Sequence, residues 1–222
     1  MAERTPVSRQ TRKNALIRRV CKTACTLSGR VRRTRRKIGA LIAAALPIGV
    51  GELRADATVA RAASPPCPGA NLHPDRVNAP AIRAATVCLI DRVRAVYHLR
   101  PLHSNRLLQG VATRQVKDMV RWNYFADDRP SGMTPATLIA STGYAARARS
   151  LSTGQNIGWA TGADTTPASM VSAWMHSPPH RAIILARRFL DIGAAVSGAL
   201  PSVLQRGRLG ATYAVEFAAR GA

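Results

Sequence analysis

The sequence predicts an α+β domain, and two observations carry that prediction. Segments with helical periodicity fill its middle and segments with strand-like alternation its end, with no βαβ alternation between them. Both kinds of segment begin only after a basic leader (residues 1–62) and a proline-rich lead-in (63–78), which leaves 79–222 as the globular part. The 222 residues suit one domain with flanking segments. The composition is 46% hydrophobic but only 5% aromatic, so the core must rest on aliphatic side chains and a few rings. No internal repeat is present.

The leader shows no sustained apolar period as far as Lys37. It ends in the basic run Arg30 to Lys37, and the apolar stretch Ile38 to Val50 follows at once. That stretch is too short to cross about 30 Å of hydrocarbon at 1.5 Å per residue. It has the length of a signal-peptide apolar region, over residues 38–50, with small-residue patterns downstream at Ala55-Asp56-Ala57 and Ala60-Arg61-Ala62. Export is therefore expected, to the cell envelope or outside the cell. A twin-arginine route and the general secretory route stay open, because Thr34-Arg35-Arg36 lacks the usual apolar pair after the arginines. Two other readings of the stretch also stay open, a buried helix of the domain and an uncleaved membrane anchor.

Charge has to be read against that division. The chain carries 33 Lys and Arg against 11 Asp and Glu, a net +22, which invites a nucleic-acid reading. More than half of the excess lies in residues 1–62, where basic residues beside an apolar segment are ordinary for export. Arg outnumbers Lys by 29 to 4, the mark of GC-rich coding more than of a binding surface. In the domain the arginines are scattered over amphipathic helices without interleaved aromatics, so no nucleic-acid partner is expected.

Within the lead-in and domain, elements follow in order. Residues 63–78, rich in Pro, Gly and Asn, read as extended chain. A first helix is expected from Ala79 to Leu99, with Ile82, Leu89, Val93, Val96 and Tyr97 as its apolar stripe. Arg83, Asp91, Arg92 and Arg94 lie off that stripe, and Pro101 ends the run. Ser104 is the expected N-cap of a second helix to Trp122, with Leu108, Val111, Ala112, Val116, Met119 and Val120 as its buried face. A polar turn follows from Asp127 to Gly132. Thr134-Pro135 and Thr166-Pro167 are N-cap and N1 pairs for two further helices, the first ending at Gly143 and the second burying Met170, Val171 and Trp174. Between them Gly154 to Trp159 reads as a short strand or extended segment, and strands close the chain at Leu190–Val196 and Leu209–Phe217, the last with Tyr213, Val215 and Phe217 on one side.

Four cysteines are present. Cys21 and Cys25 lie in the leader with no ligand partners nearby and make a poor zinc site. Cys67 and Cys88 remain as an even pair in an exported domain, and a disulfide between them is expected; two reduced, separately buried thiols is the alternative.

Chemistry concentrates around Trp174-Met175-His176-Ser177-Pro178-Pro179-His180-Arg181. Pro178 and Pro179 interrupt a helix, so His180 is expected at a bend. The His176 and His180 pair is discounted as a zinc site, because two prolines work against a continuous helix between them. No nucleophile elbow, P-loop, His-Glu-x-x-His motif or dinucleotide fingerprint is present.

Several segments, in order, resemble the bacterial branch of the CAP superfamily, also called SCP or PR-1-like. Leu89-Ile90-Asp91-Arg92-Val93-Arg94 with Leu99-Arg100-Pro101-Leu102 is similar to the opening helix and its exit. Asp118-Met119 with Tyr124-Phe125-Ala126-Asp127, Gly143-Tyr144 with Gly154-Gln155-Asn156-Ile157, Trp174 to Leu185, and Ile192-Gly193 follow in the family's sequence of motifs. The resemblance spans about residues 80–218. It implies an α-β-α sandwich with a central antiparallel sheet. It also implies a cleft in which two His and acidic residues can hold a divalent cation.

This chain departs from that pattern at the site itself. Asp127 stands at the first His position, Gln155 at the Glu position, and Ile183 at an Asn position, while His180 is kept. Glu to Gln removes a charge and a basic group. Candidate cleft residues are thus His180, Asp127 and Gln155, with His180 and Asp127 the surviving metal donors; no cofactor is expected, and a divalent cation such as zinc is weakened. Asp127 beside His180 would favour imidazolium, and Asp191 or Glu216 could add a second carboxylate. The expected function is a non-enzymatic envelope or extracellular binding module, with a lipid, a peptide or another protein as ligand and with membrane contact only through an uncleaved leader. The alternative is a residual hydrolase, with or without a metal, working through His180 and Asp127. A blander alternative has His180 capping a turn and Asp127 and Gln155 bonding backbone.

Overall fold

The computed structural model describes residues 66–75, 77–204 and 209–221. The leader, with its apolar stretch and with Cys21 and Cys25, lies outside them, as do residues 63–65 of the lead-in.

Among the described residues the elements run α1 (Ala79–Val96), β1 (His103–Ser104), α2 (Arg106–Arg121), α3 (Pro135–Ser141), β2 (Ser150–Thr161), a 3-10 turn at Gly162–Thr165, α4 (Pro167–His176), α5 (Pro178–Ile184), β3 (Asp191–Ser197) and β4 (Gly210–Gly221). The sheet order is β1-β3-β4-β2. Only the two-residue β1 pairs parallel with β3; β4 runs antiparallel to β3 and to β2, with Gln155 opposite Glu216 and Gly193 opposite Glu216 on its other side. The architecture is the expected mixed α+β one.

Alternation along β4 divides the core. Ala211, Tyr213, Val215 and Phe217 face Ile82 and Ile90 of α1 and Met170, Val171 and Trp174 of α4. The opposite face meets α2 and α3 through Ala214 and Ala218, packed with Leu108, Val111, Val116, Met119, Leu138 and Ile139. Helices therefore cover both faces. Trp174 donates to the Ile157 carbonyl at 3.1 Å and meets Tyr213 edge-on, so α4 is held at a fixed depth over β2.

Three helices start as the sequence indicates or one residue away. Thr134 and Thr166 accept from the amides of Thr137 and Ser169, and a proline opens each helix. The cap of α2 is Asn105 rather than Ser104; the Asn105 carboxamide takes both the Leu107 and Leu108 amides, while Ser104 is spent in β1. The stripe of α1 is rotated from the expected one. Ile82, Ala85, Thr86, Ile90 and Arg94 are buried, whereas Val96 and Tyr97 are exposed. Arg94 is drawn inward because its guanidinium satisfies the carbonyls of Arg100, Ile184 and Ala186.

Cys67 and Cys88, 21 positions apart in sequence, form a disulfide with Cα atoms 5.8 Å apart. It ties the lead-in to α1. Loop closure of this length is worth about 3 kcal/mol in the chain-entropy model. Oxidised chain is expected to unfold at a higher urea midpoint than the Cys67→Ala, Cys88→Ala double variant by that amount. Equal midpoints would show that the crosslink is thermodynamically idle.

Candidate functional site

The candidate site is built at β2, the edge strand opposite β1. Asp127 comes from the segment after α2, on the Ala214 face of the sheet. Gln115, fully buried in α2, donates to the carbonyls of both Ala126 and Asp127 at 2.9 and 3.1 Å and fixes that turn. His180 comes from the other layer. Pro178 and Pro179 do end α4, at His176, but they also open α5, because proline is accepted in a first helical turn. His180 consequently sits in the first turn of a short helix instead of at an open bend. Its Nδ1 meets the hydroxyl of Ser177 at 2.8 Å, and the side-chain amide of Asn156 donates to its carbonyl at 3.1 Å.

Asp127 and His180 feel each other electrostatically, but burial dominates both. Desolvation lowers the His180 imidazole from its usual range, and Asp127 offsets only part of the effect. Desolvation raises the Asp127 carboxyl, against His180 and with Asp128, even though one side of Asp127 stays open to solvent. Imidazolium is therefore not the favoured state, contrary to the sequence expectation. Near neutral pH His180 is a neutral imidazole with Nε2 unbonded to any described residue.

Beneath this pair lies Gln155, and with it Glu216, which the sequence named only as one of two possible second carboxylates. The other, Asp191, is taken by the hydroxyl of Tyr144 at 2.5 Å. The antiparallel register of β2 and β4 sets Gln155 and Glu216 side by side, and Gln155 Nε2 donates to Glu216 Oε1 at 2.6 Å. Glu216 is fully buried. Desolvation pushes its carboxyl up to about 8, the Gln155 bond opposing and Asp127 adding, so at neutral pH it carries a proton. Glu216 Oε2 and Gln155 Oε1 are both buried with no hydrogen-bond partner among the described residues, a setting that disfavours a carboxylate charge. Gln155 and Glu216 thus form a buried acid–amide pair in which desolvation favours the neutral acid.

Next to the pair, Arg129 bonds Asp118 at 3.1 Å, while its Nε and Nη2 and the Tyr124 hydroxyl are buried and unpartnered. An open groove of about 510 Å³ runs over Asp118, Trp122, Tyr124 and Arg129. A larger cavity, of about 720 Å³, lies elsewhere, near His73, Thr165, Ser197 and Gly210, and includes none of Asp127, Gln155 or His180.

A catalytic zinc takes three protein ligands and keeps one open position. Among the described residues no group of three or more His, Cys, Asp or Glu side chains could hold a metal ion. Asp127 and His180 make two donors, and Glu216 is protonated and committed to Gln155. The donor set does not fit a resident zinc.

Helical layers on both faces of a small, largely antiparallel sheet define a helix–sheet–helix sandwich domain. Residues 87–199 match CAP, the cysteine-rich secretory protein family, and the chain belongs to it. A curated relative, the uncharacterized protein YkwD of Bacillus subtilis (strain 168), is 33% identical over 113 residues, which are 51% of this chain and 41% of that protein. The match thus leaves more than half of the relative's length without a counterpart here. Two solved structures share the fold. One is an extracellular protein containing a SCP domain from Bacillus anthracis str. Ames (TM-score 0.50, 21% identity, 66% of this chain and 43% of the other). The other is an outer surface protein of Borrelia burgdorferi (TM-score 0.50, 17% identity, 68% of this chain and 98% of the other). Among the described residues no helix is long and apolar enough to cross a membrane.

Proposed function

We propose that the domain is a binding module of the cell envelope or extracellular space that holds a lipid, a peptide or another protein in the cleft over Asp127, Gln155, His180 and Glu216, without turnover. The observation that carries this reading is the buried bond from Gln155 to Glu216, whose carboxyl desolvation pushes up to about 8. Of the carboxylate positions at the site, one is an amide, Gln155, and one a buried acid, Glu216, so only Asp127 is left to orient a base or hold a metal. Export rests on the leader and is consistent with the extracellular and outer-surface descriptions of the two structural relatives.

Purified full-length chain should show no zinc-dependent turnover of p-nitrophenyl acetate or casein, and His180→Ala should leave that background unchanged. Mass spectrometry of molecules retained through purification should find a ligand that Asp127→Asn and His180→Ala lose. Zinc-dependent turnover abolished by His180→Ala would sink the proposal. It would favour the second reading, a residual hydrolase in which neutral His180, polarised by Asp127, acts as general base. The lowered pKa of His180 is the specific observation that keeps that reading in view.

A further inference from the structure

Away from the cleft, where the C-terminal end of α1 meets the segment after α5, a pocket of about 220 Å³ is lined by Arg94, His98, Leu99, Arg100, Arg187 and Phe189. Its lining holds three guanidinium groups, one imidazole and no carboxylate. Arg94 and Phe189 are the buried members, 1% exposed each, and form its base; His98, Arg100 and Arg187 are exposed and form its rim.

Arg94 is the reason to regard this as a site. Its Nε donates to the Arg100 carbonyl at 3.0 Å, and one terminal nitrogen, Nη1, donates to Ile184 and Ala186 at 2.7 and 3.1 Å. These bonds lock the guanidinium plane. The other terminal nitrogen, Nη2, has no hydrogen-bond partner among the described residues. The nearest acid, Asp91, offsets the charge in part but is held by the Leu102 amide at 2.9 Å and does not line the pocket. A fixed guanidinium with an unspent donor, ringed by two more, is a preorganised receptor for a small oxyanion. His98, at φ 54°, turns the chain sharply just after α1 and is itself part of the rim.

We propose that this pocket binds a single phosphate group, with Arg94 Nη2 as the fixed donor and Arg100 and Arg187 closing over the oxygens from the rim. The volume admits one such group and its waters, not a groove's length of polymer. A free phosphate compound and a phospholipid headgroup present the same chemistry here.

The test uses the full chain, inorganic phosphate and two double variants at low ionic strength. Calorimetric titration with phosphate should give saturable binding. Arg100→Gln with Arg187→Gln, both exposed, should weaken it at least about tenfold, because two charge-assisted bonds are lost. Arg114→Gln with Arg121→Gln, the same charge change on the solvated face of α2, should leave it unaltered. Equal losses in the two variants would reduce the effect to bulk charge and overturn the site, as would the absence of saturable binding. Co-sedimentation with phosphatidylglycerol vesicles then assigns the source. If the Arg100→Gln, Arg187→Gln variant binds them less than the Arg114→Gln, Arg121→Gln variant, the ligand is a headgroup. If the two variants bind vesicles alike while phosphate binding is lost only in the rim variant, the ligand is a free phosphate.

Discussion

Replacing Glu216 with Gln is expected to stabilise the domain at neutral and alkaline pH and to remove a downward slope from its stability profile. The unfolded carboxyl titrates near 4.5 and the folded one near 8. Between those values the native state holds a proton that the unfolded state has released. Stability from this group is therefore complete below pH 4.5 and falls as pH rises through 8. The loss comes to about 3 kcal/mol at pH 7 and about 5 kcal/mol above pH 8. Glu216→Gln keeps the shape and supplies an N–H donor for Gln155 Oε1 without the titration. Its urea midpoint should match the parent near pH 4 and exceed it progressively toward pH 9. Groups that do not interact with Glu216 cancel in the comparison, and the repulsion from Asp127 adds to the same slope. Parallel midpoints across that range would mean that Glu216 is ionised in the folded protein, and the neutral pair under the cleft would be lost with it.

The second large effect concerns Gly193. This residue of β3 is where α2 lies closest to the sheet. A methyl group at position 193 would overlap the amide nitrogen of Gln109 and the carbonyl carbon of Leu108 and would sit 2.7 Å from Gln109 Cα. Those are backbone atoms in the first turn of α2, so no side-chain rotation relieves the clash; the helix must lift. Lifting it opens the contacts of Leu108, Val111 and Ala112 with the sheet and moves Gln115, which anchors the Asp127 turn. Gly193→Ala is expected to cost about 3 kcal/mol or more, a fall of roughly 10 °C in Tm for a domain of this size. Gly110→Ala, on the same helix with open space around it, is the control and should be neutral or mildly stabilising. Similar melting of the two variants would remove the close approach as a determinant of the fold.

Much of this fold was legible because local signals and tertiary structure agree. Thr134-Pro135 and Thr166-Pro167 predicted helix starts that the hydroxyl caps confirm, and Tyr213, Val215 and Phe217 do share one core face. The cysteine pair is crosslinked as expected. What sequence reasoning missed depends on partners distant in the chain. Arg94 looks like a surface residue until carbonyls some 90 positions away are brought to it. Gln115 interrupts an otherwise apolar face of α2, a signal that was available but carried no partner until the turn at Asp127 closed on it. Pro178-Pro179 reads as a break, and only the first turn of α5 shows it to be also a start.

The site follows the same rule. Electrostatic coupling joins Asp127 to His180, and the side-chain bond joins Gln155 to Glu216. The choice of Glu216 over Asp191 needed strand register, which a sequence does not print. At His180 Asp127 does favour imidazolium, but desolvation outweighs it; a neighbouring carboxylate can be inferred from motifs, whereas desolvation cannot.

The position of β4 has a consequence for how the chain acquires its structure. This strand, Gly210–Gly221, follows the other three in the chain, is hydrogen-bonded on both sides and is buried on both faces over most of its length. Until it leaves the ribosome, among the described residues β2 has no neighbour in the sheet and β3 has just the two residues of β1. Residues 150–161 must then wait for a segment some fifty positions downstream, a separation that makes closure slow and all-or-none. The sheet is therefore completed only once that segment has been made, whereas the helices, whose hydrogen bonds are local, do not depend on it.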